Sequence, residues 1–294
     1  MTMELSDLAI FVAVVEEATT TRAAERLGMT QPGVSQHLSK LEAEIGRALF
    51  ERRGKRLALS DFGSQFLGKA RKLLEDAASL RGMSSGGSGP TGTLRMGLTD
   101  ASTQTVIPPA LIEFRNRCPG VRIRLDVDDS HDIEEGVLRG HFDFGVITAG
   151  AKPHPQLETV ALYSDRIDAL VSRNHTLAHR KHVALKELAK WPLLVYPRRS
   201  RTRNIIDDAF HAAGVVPRET IDVYINTAAV KLAEVGVGVA LLSQAFIAEE
   251  TPKHRCAHVR VTGDPFSRMI CLVRRADSHM SEAAACFCGI LMKR

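Results

Sequence analysis

Residues 20–39 read TTRAAERLGMTQPGVSQHLS. Ala23, Ala24 and Leu27 give a first short helix an apolar face at i, i+1 and i+4. Gly28 ends that helix where a left-handed backbone costs little, and Met29 plugs the angle to the next one. Thr30 or Gln31 caps a second helix, with Pro32 in its first turn, where a missing N–H is harmless. Val34, Leu38, Leu41 and Ile45 then seat it at spacings of 4, 3 and 4. Its other face carries Gln31, Gly33, Ser35, Gln36, Ser39 and Lys40. Short amides and hydroxyls there reach base edges and phosphates in a major groove, and Gly33 lets the backbone approach a duplex closely. This is the pattern of a DNA-reading helix-turn-helix. The plain alternative is an αα-hairpin with a solvated outer face.

Residues 49–59, downstream of the window, favour the first reading. Leu49-Phe50 and Leu57-Ala58-Leu59 flank Glu51-Arg52-Arg53-Gly54-Lys55-Arg56, two extended pieces about a basic, glycine-centred turn. Arg52, Arg53, Lys55 and Arg56 are spaced to straddle a phosphate backbone or enter a minor groove, which supplies sequence-independent affinity. Alone, such a run is a solvated turn; behind a helix-turn-helix it is a wing.

Residues 3–60 thus resemble the winged helix-turn-helix of LysR-type transcriptional regulators. The matching segments are MELSDLAIFVAVVEEA, AAERLGMTQPGVSQHLSKLEAEIG and LFERRGKRLALSDFG. One departure stands out: Thr19, Thr20 and Thr21 occupy the place where that family commonly has an aromatic, which leaves Thr21 as a cap or phosphate contact. The resemblance implies double-stranded DNA as partner, RNA polymerase as a further candidate partner, and assembly as a homodimer or a tetramer that bends DNA.

The chain has 294 residues, far more than a reader of about 60 to 90 needs, so a second and larger part is expected. A 44% hydrophobic, 25% charged composition describes a packed globular protein. No uncharged apolar run reaches membrane-spanning length, and Glu4 and Asp7 replace a basic signal-peptide n-region, so the expected location is cytoplasmic. Net charge is +5, and residues 20–56 hold eight Lys or Arg against four Glu, which places basic charge on the reader. The odd cysteine count, at Cys118, Cys256, Cys271, Cys286 and Cys288, argues for reduced thiols rather than a disulfide framework. Cys286 and Cys288 are read as structural, because i and i+2 on a helix point to different faces.

Ser60 caps a long helix to about Met83, with Phe62, Phe66, Ala70, Leu73, Leu74, Ala77 and Leu80 along one stripe. Taking residues 1–60 to close their own core, this stripe at 61–84 is expected to pair with a second copy. Residues 85–91 belong to a Gly/Ser linker, the clearest boundary in the chain. Beyond it, strands alternate with helical segments in βαβ fashion over 92–294. The fold class is therefore α/β overall, an all-α winged reader and linker helix joined to a two-lobed α/β effector domain. That order is similar to the effector half of the same family, which resembles type 2 periplasmic binding proteins. Lobe I is expected at 92–163 and 267–294 and lobe II at 164–266, with DFGVI at 143–147 and NTAAVKLAEVGVGVALLS at 226–243 as the best matches.

Open α/β sheets bind ligands at the carboxyl ends of strands, beside helix N-termini. That rule selects Thr99, Asp100, Ser102, Thr103 and Gln104, then Asp129 and Ser130, Thr148, Arg199 to Thr202, and Asn226 with Thr227. Each alone is a helix cap; together they ring one cleft. In the run Arg198, Arg199, Arg201, Arg203, one or two guanidiniums facing that cleft favour a small anionic effector. Ser102-Thr103-Gln104 is loosely similar to the sulfur-assimilation branch of the family. The alternatives are an α/β enzyme or a solute receptor, but no nucleophile elbow, phosphate-binding loop, HExxH motif or full dinucleotide fingerprint is present. His175, His179 and His182 read as a loop and surface helix without ligand spacing, so neither a catalytic residue, a metal nor a cofactor is expected.

Overall fold

A computed structural model of the chain describes residues 3–53, 56–83, 89–253, 255–276 and 280–293. The N-terminal part consists of α1 (Leu5–Glu17), α2 (Thr20–Leu27), α3 (Gln31–Ile45), a hairpin of β1 (Phe50–Arg53) and β2 (Arg56–Leu59), and the long α4 (Asp61–Met83). Thr19, not Thr21, caps α2, its hydroxyl accepting the Arg22 N–H at 3.2 Å. Gly28 ends the helix at φ +65°, and Thr30 caps α3 by accepting the Gly33 N–H. Phe11 is fully buried and meets Phe50 and Phe66 edge-on at 5.5 Å.

Phe66 marks a departure from expectation, because residues 1–60 do not close their own core. Leu67 and Ala70 of α4 are buried in it, and Phe62, Phe66 and Leu74 pack against it. The helix can approach this closely because residue 63 is glycine: a Cβ there would lie 2.0 Å from the Leu49 carbonyl oxygen. Of the stripe expected to pair with a second copy, only Leu73 and Leu80 are left exposed, with Ala77 half-buried.

The second part runs β3 (Gly92–Leu98), α5 (Asp100–Gln104), α6 (Ile107–Arg117), β4 (Val121–Val127), α7 (Ser130–Leu138), β5 (Phe144–Thr148) and β6 (Leu157–Ser172). It continues through β7 (His182–Val183), α8 (Leu185–Leu188), β8 (Pro192–Val195), α9 (Arg201–Ala212), β9 (Glu219–Asp222), α10 (Asn226–Glu234), β10 (Val239–Ser243) and α11 (Gln244–Glu250). A single 3-10 turn, β11 (Cys256–Val261), β12 (Ser267–Arg275) and α12 (Glu282–Leu291) complete it. Among the described residues the strand order is β4-β3-β5-β12-β6-β10-β8-β9, with β11 beside β6 and β7. Strands β3, β4 and β5 are parallel, as are β8, β9 and β10, which the helical crossovers require.

Two long antiparallel strands, β6 and β12, join the lobes. β6 pairs with β12 as far as Arg166 and with β10 from Ile167, so the crossing point lies three residues past the expected boundary. Lobe I packs Phe114, Phe144 and Phe287 together at 5.3 and 5.6 Å; lobe II centres on Phe210 and Phe266. His175 and His179 sit in turns and His182 in β7, not on a surface helix. The imidazole of His175 meets Trp191, the chain's single tryptophan, edge-on at 4.4 Å.

Candidate DNA-reading face and effector cleft

The exposed face of α3 presents Gln31, Pro32, Gln36, Ser39 and Lys40, with Ser35 half-buried beside them. Gln31 Nε2 donates to Ser35 Oγ at 3.0 Å and to Thr20 Oγ1 at 3.3 Å, which fixes the amide across the two helices. Thr20 thus joins the face unannounced by the sequence. Lys40 is drawn back to α1, with Nζ 3.2 Å from Glu4 and 3.3 Å from Asp7. Gly33 serves Thr30 as well as any duplex, because a Cβ on it would crowd the capping hydroxyl at 3.1 Å. Thr21 is exposed on α2. The β1 and β2 backbones pair antiparallel, Arg53 opposite Arg56, as a wing requires. Gly54 and Lys55 lie outside the described residues, as do the side chains of Arg52, Arg53 and Arg56 and the linker residues 84–88.

Asp7 anchors this helix from below. Its carboxylate is buried and lies 2.6 Å from His37 Nδ1. Burial pushes its pKa up, but the His37 hydrogen bond and the Lys40 cation outweigh that and hold it below the usual value.

The second site is a cavity of about 300 Å³ between the lobes. From lobe I it is lined by Thr99, Asp100, Val127, Asp128, Asp129, Ser130 and Thr148, and across from them by Tyr196, Arg199, Thr202, Tyr224, Ile225 and Arg268. The sequence missed Tyr196 and Arg268. Arg268, on β12, is wholly buried and donates Nε and Nη2 to Asp165 Oδ2 at 2.9 and 2.7 Å. Its Nη1 donates to the Thr202 hydroxyl at 2.5 Å. Burial disfavours the Arg268 charge, yet Tyr196 and Asp165 keep its pKa above the ordinary value. The Tyr196 hydroxyl and the Asn226 Nδ2, both buried, have no hydrogen-bond partner among the described residues.

Six expected ligand residues, Ser102, Thr103, Gln104, Arg201, Asn226 and Thr227, do not line the cavity. Three belong to α5, which folds their polar atoms back on itself. Ser102 Oγ donates to the Thr99 carbonyl, Thr103 Oγ1 to the Asp100 carbonyl, and Gln104 Nε2 to the Asp100 carboxylate. Thr227 is exposed on α10. Nor is the arginine run a free cationic patch. Arg199 is held across the cleft mouth by Asp128, Asp129 and Asp132. Arg201 grips Glu134 and the Thr148 carbonyl, Arg203 is buried against Asp207 and Asp222, and Arg198 is exposed. Asp100 accepts the Asn226 N–H at 2.9 Å, so a carboxylate of lobe I already occupies the start of α10. The Arg199, Arg201 and Asp100 contacts hold the lobes together across the cavity.

In lobe I, Cys286 comes within 3.5 Å of Cys118 Sγ. Burial raises Cys118 to about 11 and Cys288 to about 12, which keeps both as thiols and fits a packing role.

The family model for the LysR substrate binding domain matches residues 87–294, and that for the lysR-family bacterial regulatory helix-turn-helix protein matches residues 5–64. The chain belongs to the LysR family of transcriptional regulators. It is 29% identical to the RuBisCO operon transcriptional regulator of Allochromatium vinosum, over 98% of this chain and 95% of that one. It is 28% identical to the regulator CysB of Haemophilus influenzae, over 73% of this chain and 68% of the relative. Full-length OxyR of Pseudomonas aeruginosa shares the fold at TM-score 0.74 and 20% identity, covering 100% of this chain and 94% of that one. CbnR in complex with its target DNA aligns at TM-score 0.60 and 25% identity, over 99% of each chain. These relatives are named as transcriptional regulators, not enzymes, which removes the enzyme alternative. Among the described residues, no helix is long and apolar enough to cross a membrane.

Proposed function

We propose that this LysR-family regulator is a cytoplasmic homo-oligomer that binds double-stranded operator DNA through α2, α3 and the wing. A small anionic molecule in the inter-lobe cavity changes that grip, and with it the access of RNA polymerase to the promoter. One observation carries the anionic reading: a fully buried guanidinium, Arg268, reaches the cavity with Nη1 on Thr202. Thr99, Ser130 and Thr148, three residues with hydroxyls, line the same cavity. Hydroxyls and a desolvated cation together suit a carboxylate, sulfate or phosphate. Arg199 is already matched by three carboxylates, so it closes the mouth; Arg268 keeps Nε and Nη2 on Asp165, and its Nη1 edge beside the Thr202 hydroxyl is the part that meets the effector. Leu73 and Leu80, 46% and 69% exposed on α4, supply an apolar strip for a second copy.

The test is a thermal-shift screen of the full chain against sulfate, phosphate and small mono- and dicarboxylates. A cleft ligand at a hundred times its Kd stabilises the fold by about 2.7 kcal/mol. The expected result is a shift with at least one anion that Thr202→Val removes. Shifts with amines or neutral solutes alone would refute the anionic reading and leave the regulator assignment intact.

A further inference from the structure

The carboxylate of Glu16, near the end of α1, is 6% exposed and meets guanidiniums from four separate elements. Arg26 of α2 donates to Oε2 at 2.8 Å. On the other side, Arg95 of β3 lies 3.2 Å from Oε1, Arg71 of α4 at 3.6 Å and Arg124 of β4 at 3.7 Å. A reader side chain is thus inserted into lobe I of the effector domain. Around it, α4 crosses the loop after α7 at a contact between two glycines. A Cβ on Gly140 would lie 2.8 Å from the Gly68 Cα, and Arg71 Nη1 donates to the Gly140 carbonyl at 2.8 Å.

Arg95 and Arg124 are register partners on the parallel strands β3 and β4. Like charges directly opposite on neighbouring strands repel. Glu16 offsets that repulsion from the reader side. Burial pushes the Glu16 pKa up, but the Arg26 hydrogen bond and the Arg95, Arg124 and Arg71 charges hold it below the usual range, so it is ionised at neutral pH.

We infer that Glu16 is the positioning residue through which the effector cleft acts on the DNA-reading domain. Three sensor elements that touch the reader or α4 also reach the cleft. Strand β3 carries Arg95 and leads to Thr99, β4 carries Arg124 and leads to Val127 and Asp128, and α7 starts at Ser130 and leads to Gly140. At about 3.3 Å per strand residue and 1.5 Å per helix residue, the cleft and the latch are about 10 to 15 Å apart along rigid elements. A change of lobe closure that tilts β3, β4 or α7 at the cleft therefore shifts the guanidinium pair that grips Glu16. The reader is re-aimed without any contact between effector and reader. This rests on the inter-lobe cavity being the effector site.

The test uses the full chain and an operator selected from a random duplex pool. Glu16→Gln, Arg95→Gln and the double variant are compared by hydrogen exchange at residues 68–72 and 139–143. Operator affinity is then measured with and without Arg199→Ala, which cuts the cleft clasp and needs no ligand. Either single variant is expected to raise exchange in both segments, with the double variant adding little. Arg199→Ala is expected to change operator affinity about five-fold or more in the parent and to have no effect beside Arg95→Gln. Arg95 lies outside the reader, so its substitution separates coupling from reader folding. Unchanged exchange in Arg95→Gln, or additive single effects, would overturn the latch. An open latch with the full Arg199→Ala effect retained would overturn the coupling. If Arg199→Ala is silent in the parent, the coupling is overturned; exchange still decides the latch, and the anion screen decides the effector-cleft reading.

Discussion

Ser35 and Gln36 sit in the second turn of α3, with Gln36 exposed and Ser35 held by the Gln31 amide. Side chains this short bond base edges only when the helix lies deep in the groove, so they report sequence rather than charge. Ser35→Ala with Gln36→Ala is expected to reduce discrimination between operator and scrambled duplex by about 1–3 kcal/mol per lost base contact, with non-specific affinity kept. Competition anisotropy measures both, and unaltered discrimination would place the reading face elsewhere. Some of this site was legible residue by residue, because Gly28, Thr30 and Pro32 have one physical use each in that order. The α2 cap was not. Thr19, Thr20 and Thr21 are chemically equal, and only the backbone shows that Thr19 precedes the first helical residue.

Helix α1 is a charged strut as much as a core element. It buries Asp7 under α3 and Glu16 against lobe I, and both carboxylates are held below their ordinary range. Their contribution to stability is therefore complete at neutral pH, where both states would be ionised, and is lost as pH falls through the ordinary value of 4.5 for Glu16 towards the lower folded values. Urea unfolding midpoints between pH 7 and pH 3 are expected to fall below about pH 4.5. The fall should be shallower in Asp7→Asn and in Glu16→Gln; identical slopes in all three proteins would contradict the assignment. Helix α4 shows the limit of sequence at this scale. Its stripe from Phe62 to Leu80 announces an amphipathic helix, but periodicity names a face and not what covers it. Phe66 and Ala70 turned to the reader core because Gly63 let the helix close on Leu49.

At the scale of the molecule, the two lobes were readable from the alternation of strands and helices, and Thr99 and Thr148 from their place just after β3 and at the end of β5. Arg268 was not readable. It stands near the start of a long strand, and its partners Asp165 and Thr202 lie 103 and 66 residues away in sequence. Local pattern carries no trace of such a pairing, which exists only once β6 and β12 have crossed between the lobes. The pairing of Trp191 with His175 belongs to the same long-range class and has an optical consequence. A chain with one indole has one emission centre when excited beyond the tyrosine absorption, and here it lies wholly within lobe II. Burial lowers the His175 pKa, so its imidazolium, an efficient quencher of indole, forms only below the ordinary 6.5. Emission is expected to fall on acidification with a midpoint under 6.5 and to stay level in His175→Gln. A level trace in the parent would show that the rings do not meet in solution. The same signal is blind to the helical reader, where α1 to α4 contribute strongly to the far-ultraviolet dichroism. Melting curves followed at the two wavelengths therefore coincide if reader and sensor unfold as one body and part if they do not.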